Sequence, residues 1–245
     1  MNIDVESLER ATVSAVAPLA VEECGGWLLA FDGGTVNRAR SAVPLSHESV
    51  DASVVPAIFS RYRERGVMPN FRIAQKAAMG AVESELARLR LLPLQPTQVL
   101  VARAGDVAAS ADAAGVEIAA TPDDAWAQVF LGEGFDPADG ASRVATLKRA
   151  QGSRFASIRE DGRVVAGGVL AMSHGWASVH GMRTALSHRR RGLATRVLAA
   201  FAREALGHGY ERMALQVEVA NDAATRVYTR CGFAHAWTYA YWREQ

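Results

Sequence analysis

The chain predicts an α+β protein with a mixed, mostly antiparallel sheet, built in two halves of similar element order. Three observations carry this. Asp161-Gly162 and His174-Gly175 sit between runs rich in apolar and β-branched residues, as tight hairpin turns do. After Gly192, Leu193, Val197, Leu198, Phe201 and Ala205 recur at helical spacing between two strand-like runs, which makes those strands parallel. The order strand, helix, strand, helix, strand closes both halves. The 245 residues suffice for one large core or two small ones.

In chain order, "GGWLLAFDGGTVNRARSAVPL" reads as a hairpin, and "ESVDASVVPAIFSRYRERG" as a helix that Pro56 interrupts, with "RYRER" as a solvated face. "NFRIAQ" is a strand, "AVESELARLRLL" a helix and "TQVLVAR" a strand. "ARAGDVAASADAAG", Ala102 to Gly115, is small and weakly patterned, and reads as a linker. The boundary placed there divides the chain into 1–112 and 113–245. Gly115–Ala120 is a short strand. Thr121, ahead of Pro122, is the expected N-cap of a helix through Trp126, Val129 and Phe130. A second helix covers Ala138 to Ala150. "RFASIRE", "RVVAGGVLAM" and "WASVHGMRTAL" are strands joined by the two hairpin turns. Gly207 and Gly209 end the helix that follows Gly192. "RMALQVEV", "DAATRVYTRCG" and "AHAWTYAYW" complete the chain as strand, helix and strand.

Charge and composition narrow the function. Lys plus Arg (27) almost cancels Asp plus Glu (26), so a whole-molecule attraction to nucleic acid or anionic lipid is not expected, and no nucleic-acid or membrane partner is assigned. Nucleic-acid binding through Arg189–Arg191 alone lacks interleaved aromatic residues. The N-terminal "MNIDVESLER" is acidic where a signal peptide is basic, and no apolar run is long enough for a bilayer. Cys24 and Cys231 form no redox or metal pair, and the six histidines are scattered, so a cytoplasmic protein without a metal is expected. Beside Gly232, with no base in view, Cys231 reads as a packing residue.

"RRRGLA", Arg189 to Ala194, follows a strand and opens a helix. The first N–H groups of a helix lack internal partners and its dipole is positive there, so an anion can sit on them. Gly192 and Ala194 keep the approach clear, and Arg189, Arg190 and Arg191 add charge. By itself the hexamer can equally be a solvated basic helix start. Further on comes "NDAATRVYTRCGF", an Asn-x-x-Ala-x-x-x-Tyr-x-x-x-Gly-Phe pattern.

The two motifs, in this order and after matching strands, resemble the GCN5-related N-acetyltransferase (GNAT) superfamily over roughly residues 116–242. "GGWLLAFDGGTVNRARSAVPL" with "RYRERGVMPNFRIAQ" resembles the degenerate N-terminal half of two-domain bacterial members. The resemblance implies two tandem GNAT-like domains, the first non-catalytic and serving to wall the acceptor pocket or to pack in a homodimer. It implies acetyl-CoA as co-substrate, with backbone amides of Arg190, Arg191, Gly192, Leu193, Ala194 and Thr195 on its pyrophosphate. Met182, Arg183 and Thr184 match the strand beside the pantetheine arm, Asn221 the asparagine near that arm, and Tyr228 the tyrosine near the sulfur.

The implied activity is N-acetyl transfer to a primary amine, by direct attack in a ternary complex. The acceptor is a small-molecule or peptide amine. A neutral amine must attack the thioester, so a general base or a water chain removes its proton. Strand N–H groups can stabilise the oxyanion, and a phenol, protonated at neutral pH, can protonate the leaving thiolate. Tyr228 is that acid. On "WASVHGMRT" alternation puts Ser178, His180, Met182 and Thr184 on one face, and His180 is the first candidate base because an unperturbed imidazole titrates near working pH. Glu218 is the second candidate base or a residue that shapes the pocket. A non-catalytic acyl-CoA-binding or regulatory module is the alternative function.

Overall fold

The computed structural model describes residues 3–132 and 136–245. In chain order the elements are α1 (Val5–Val16), β1 (Ala20–Cys24), β2 (Trp27–Phe31), β3 (Ala42–Pro44), α2 (Val55–Glu64), β4 (Asn70–Ala74), α3 (Gly80–Arg88), β5 (Leu92–Arg103) and α4 (Ala104–Ala109). Then come β6 (Val116–Ala119), α5 (Asp124–Gln128), α6 (Pro137–Arg149), β7 (Arg154–Glu160), β8 (Arg163–Ser173), β9 (Trp176–Thr184), α7 (Leu193–Gly207), β10 (Arg212–Glu218), α8 (Asp222–Arg230) and β11 (Ala234–Arg243).

The strands form one sheet of eleven, in the order β1-β2-β3-β4-β11-β5-β10-β9-β8-β7-β6. Neighbours are antiparallel except β3–β4 and β9–β10. Each parallel pair flanks a helix, α2 in the first half and α7 in the second, so the repeated element order is also a repeated topology. The expected α+β class with a mixed, mostly antiparallel sheet is what the chain forms.

The halves interleave. β5, from before residue 112, lies between β10 and β11, and β11, the last strand, pairs with β4 of the first half. The boundary expected at residue 112 falls between α4 and β6, and a single sheet continues across it. α4 and the end of β5 occupy much of the expected linker, and Ala104 and Val107 are buried in the core against α7. Small residues here mean close helix packing.

One face of the sheet is covered by α7, whose Leu193, Val197, Leu198, Phe201 and Ala205 pack on Ala166, Leu170, Ala177 and Val179. The opposite face receives α1, whose Leu8 and Ala11 meet Trp176, Ala214, Tyr239 and Tyr241. Between α1 and β4 an ion pair, Arg72 to Glu9 at 2.5 Å, is buried to 1% and 2% side-chain exposure. Arg72 also lies over the Tyr239 ring, 5.2 Å from its centroid.

Several local expectations need correction. α1 and β1 were not anticipated. Pro56 does not interrupt α2 but lies in its first turn, where its missing N–H costs nothing. Asp123, not Thr121, caps α5, its carboxylate accepting the Trp126 N–H at 2.7 Å. Within "RYRER" Tyr62 is fully buried and its hydroxyl donates to the Ala30 carbonyl at 2.9 Å. The two hairpin turns are as expected: Asp161, Gly162, His174 and Gly175 all have positive φ, the conformation of type I′ turns.

Candidate active site

The site begins where β9 and β10 part. The parallel strands pair only at Met213–Ala177, Ala214–Ser178 and Leu215–Val179. β9 continues to Thr184 and β10 to Glu218 without further pairing, so the ends from His180 and Gln216 onward diverge. A cavity of about 230 Å³ lies along those ends. Its lining includes His180, Met182 and Arg183 of β9, Gln216 and Glu218 of β10, and Asn221 and Tyr228 of α8.

A bulge reshapes β9 at this point. Gly167 pairs with Arg183 but Val169 pairs with His180, so Gly181 and Met182 face the single residue Gly168. Gly181 has φ +58°, and a Cβ there would lie 2.9 Å from Leu147 and 3.2 Å from Phe130. The extra residue breaks the alternation expected from the sequence. Ser178 and His180 remain on the α1 side, whereas Met182 packs with the α7 cluster. A Cβ on Gly168 would come within 2.6 Å of the Met182 sulfur and 3.2 Å of Phe201.

The turn into α7 carries the arginines. Arg190 (φ +63°) and Gly192 (φ +75°) are both left-handed, a conformation Gly adopts without strain. Space beside the Gly192 Cα is open, and no side chain caps the helix, so the N–H groups of its first turn point outward. The arginines differ in what they do. Arg191 forks onto Glu160 at 3.0 and 2.9 Å, which turns its charge toward the β7–β8 hairpin. Arg189 reaches the Thr184 carbonyl at 3.4 Å, and Arg190 is exposed.

α8 brings up the second motif. Asn221 is its N-cap, the side-chain oxygen accepting the Ala224 N–H at 3.1 Å, which sets the helix start beside the β10 end. Tyr228 lies one helical face on, 9% exposed, packed edge-on against Phe233 at 6.2 Å between centroids. Burial pushes its phenol up to about 12, against the opposing pull of Arg183 and with a small upward push from Cys231. The phenol therefore stays protonated at neutral pH. Cys231 is 1% exposed in the same cluster and is a packing residue.

His180 is 5% exposed and its Nε2 has no hydrogen-bond partner. Burial, aided by the nearby Arg38 guanidinium, brings the imidazole down to about 3. The reason for preferring it as base, an unperturbed imidazole, does not hold in the folded chain. Glu218 is exposed at the end of β10 and accepts from Gln95 Nε2 at 2.6 Å.

The remaining wall comes from residues that the sequence did not mark. Thr35, Asn37, Arg38, Gln95, Tyr239 and Tyr241 line the same cavity. Tyr239 donates to Gln216 Oε1 at 2.7 Å and contacts the Tyr241 hydroxyl at 3.2 Å. The first half thus builds one side of the pocket. Only the interleaving of β5 and β11 brings these residues to the site, and that is invisible in local sequence patterns. Among the described residues no cluster of three metal-ligating side chains occurs, and no helix is long and apolar enough to cross a membrane.

The chain as a whole has similar proteins in sequence and in fold. The family described as "Probable histone acetyltransferase Rv0428c C-terminal" matches residues 3–242. A GCN5-related N-acetyltransferase from Kribbella flavida is similar in structure, with TM-score 0.73 and 19% identity over 98% of this chain and 95% of that one. A tandem GNAT protein from the clavulanic acid biosynthesis pathway aligns with TM-score 0.61 and 14% identity, over 99% of this chain and 95% of that one. A protein from Novosphingobium aromaticivorans, described as "Putative Acetyltransferase from the GNAT family", aligns with TM-score 0.60 and 17% identity, over 98% of this chain and 99% of that one. No curated protein matches in sequence. The fold is that of the GNAT proteins, in its tandem form.

Proposed function

We propose, for a chain that belongs to the probable histone acetyltransferase Rv0428c C-terminal family, that it transfers the acetyl group of acetyl-CoA to a primary amine. The observation that carries this is the parting of β9 and β10 after Val179 and Leu215, with the Tyr228 phenol among the walls of the cavity between them and an uncapped glycine turn opening the helix that joins the two strands.

These groups fit the coenzyme by the chemistry of their donors. The amides of Arg190 through Thr195 would receive its pyrophosphate, with Arg189 and Arg190 adding charge and Arg191 committed mainly to Glu160. The edge of β9 at Met182, Arg183 and Thr184 that β10 leaves uncovered, and the Asn221 amide, would face the pantetheine arm. When bound, acetyl-CoA supplies an activated acetyl thioester.

The chain's own residues then divide the proton handling. Tyr228, protonated at neutral pH, gives a proton at its hydroxyl oxygen to the departing thiolate. Glu218, exposed and held by Gln95, takes the amine's proton and releases it to water. His180 stays neutral and forms pocket wall, because an imidazolium there is costly to bury. Release of free CoA on incubation with acetyl-CoA and a panel of amines tests the reading. Acetyl-CoA binding without CoA release for any amine would favour a non-catalytic acyl-CoA-binding module instead.

A further inference from the structure

The acetyl-transfer reading leaves one end of the cavity without an occupant. The coenzyme positions are the parted strand ends, α8 and the Gly192 turn. The wall beyond His180 belongs to the first half, at Asn37, Arg38 and Gln95.

Arg38 stands out there. Its Nε is buried with no hydrogen-bond partner, and its Nη1 reaches only Gln216 Oε1, at 3.5 Å. Among the described residues no carboxylate forms an ion pair with Arg38, nor with its neighbours Arg40 and Arg243. Arg40 and Arg243 instead share the side-chain oxygen of Asn37, at 3.3 and 3.0 Å. Asp32, the acid whose field reaches Arg40, is already bonded to Arg149 and to the Gly34 N–H. A buried guanidinium donor without a partner carries a desolvation cost that an anionic ligand removes.

The pocket also has a negative pole. Asn37 Nδ2 donates to Gln95 Oε1 at 3.0 Å, and Gln95 Nε2 donates to Glu218. Gln216, which Arg38 touches, and Glu218 are two residues apart on β10, about 7 Å along the strand. A positive pole and a negative pole therefore stand at amino-acid dimensions from one another on one cavity wall.

We propose that the acceptor is a small amine that carries a carboxylate, with the carboxylate on the Arg38 guanidinium and the amine toward Glu218. The planar fork of arginine matches a carboxylate in two parallel hydrogen bonds. A lysine-rich peptide is disfavoured, because it would bring positive charge against the Arg38 guanidinium, which no carboxylate among the described residues pairs. This proposal rests on acetyl transfer being the reaction, so the two are tested in sequence.

Acetyl-CoA binding is measured first by calorimetry, and its absence overturns both. With binding established, CoA release is followed for matched pairs: glycine and glycinamide, β-alanine and its amide, phenylalanine and its amide. O-phosphoethanolamine and a basic histone-tail peptide are run beside them. The amide's amine deprotonates more easily, so intrinsic reactivity favours the amides. The expected result is kcat/KM at least about tenfold higher for the acids, through KM. Arg38→Gln is expected to bring that ratio near one without changing the KM for acetyl-CoA, and Arg38→Lys to restore part of it. The proposal is overturned if the amides do as well as the acids, if Arg38→Gln leaves the ratio unchanged, or if no acid is acetylated. Preference for the phosphate amine or the peptide also overturns it.

Discussion

At the scale of single residues, Tyr228, Glu218, His180 and Gly192 carry separable consequences. Tyr228→Phe keeps the ring in its packed place and removes the proton donor. Its kcat is expected to fall about 100-fold, the lower end of acid–base effects, with the KM for acetyl-CoA little changed. Steady-state kinetics on the first accepted amine check this. Glu218→Gln is expected to lower kcat more than His180→Gln does, and the reverse order would return the base role to His180. Burial of His180 also makes stability depend on pH. Its imidazole titrates at about 3 in the fold against an ordinary 6.5, so between those values the unfolded chain binds more protons and stability falls as pH falls. The loss from this group at pH 5 is about 2 kcal/mol relative to pH 8. His47, held at about 4 chiefly by burial, acts in the same sense. Urea denaturation at several pH values is expected to show a shallower acid loss for His180→Gln. From the sequence, Tyr228 and Gly192 were legible because each belongs to a spaced motif. Arg38 and Gln216 were not, because a lone arginine in a hairpin and a glutamine in a strand carry no spacing signal.

At the scale of elements, the buried Arg72–Glu9 pair ties α1 to β4 beside the tyrosines of β11. Removing one partner leaves the other charge without compensation. Glu9→Ala is expected to cost about 3–5 kcal/mol, and Glu9→Leu with Arg72→Met together much less than Glu9→Ala alone. Denaturant midpoints of the variants measure both. The elements of the second half were legible because their turns contain Gly at positive-φ positions and α7 has a clear apolar period. α1 escaped notice because its segment begins with acids and no side chain caps its start. The bulge at Gly181 escaped because a glycine in a strand does not reveal which way the chain will step. That one residue moved Met182 to the opposite face from His180.

At the scale of the whole molecule, β5 between β10 and β11 makes each half supply a strand that the other needs. Residues 113–245 alone leave β10 and β11 without the strand that joins them. The expectation is that this fragment neither folds cooperatively nor binds acetyl-CoA, while the full chain unfolds in one transition. The repeated element order was readable in the sequence, but strand exchange depends on long-range pairing that no local pattern encodes. That exchange also sets first-half residues such as Asn37, Arg38 and Gln95 in the cavity wall. A calorimetric titration of acetyl-CoA into the wild-type chain and Gly192→Glu decides whether the parted strands and the Gly192 turn hold acetyl-CoA. Gly192 is left-handed with open space beside it, so glutamate there brings both strain and like charge against the pyrophosphate. Binding in the micromolar range, about 1–100 μM, is expected for the wild type and none for the variant. No binding to the wild type, or equal binding to both, would contradict that expectation.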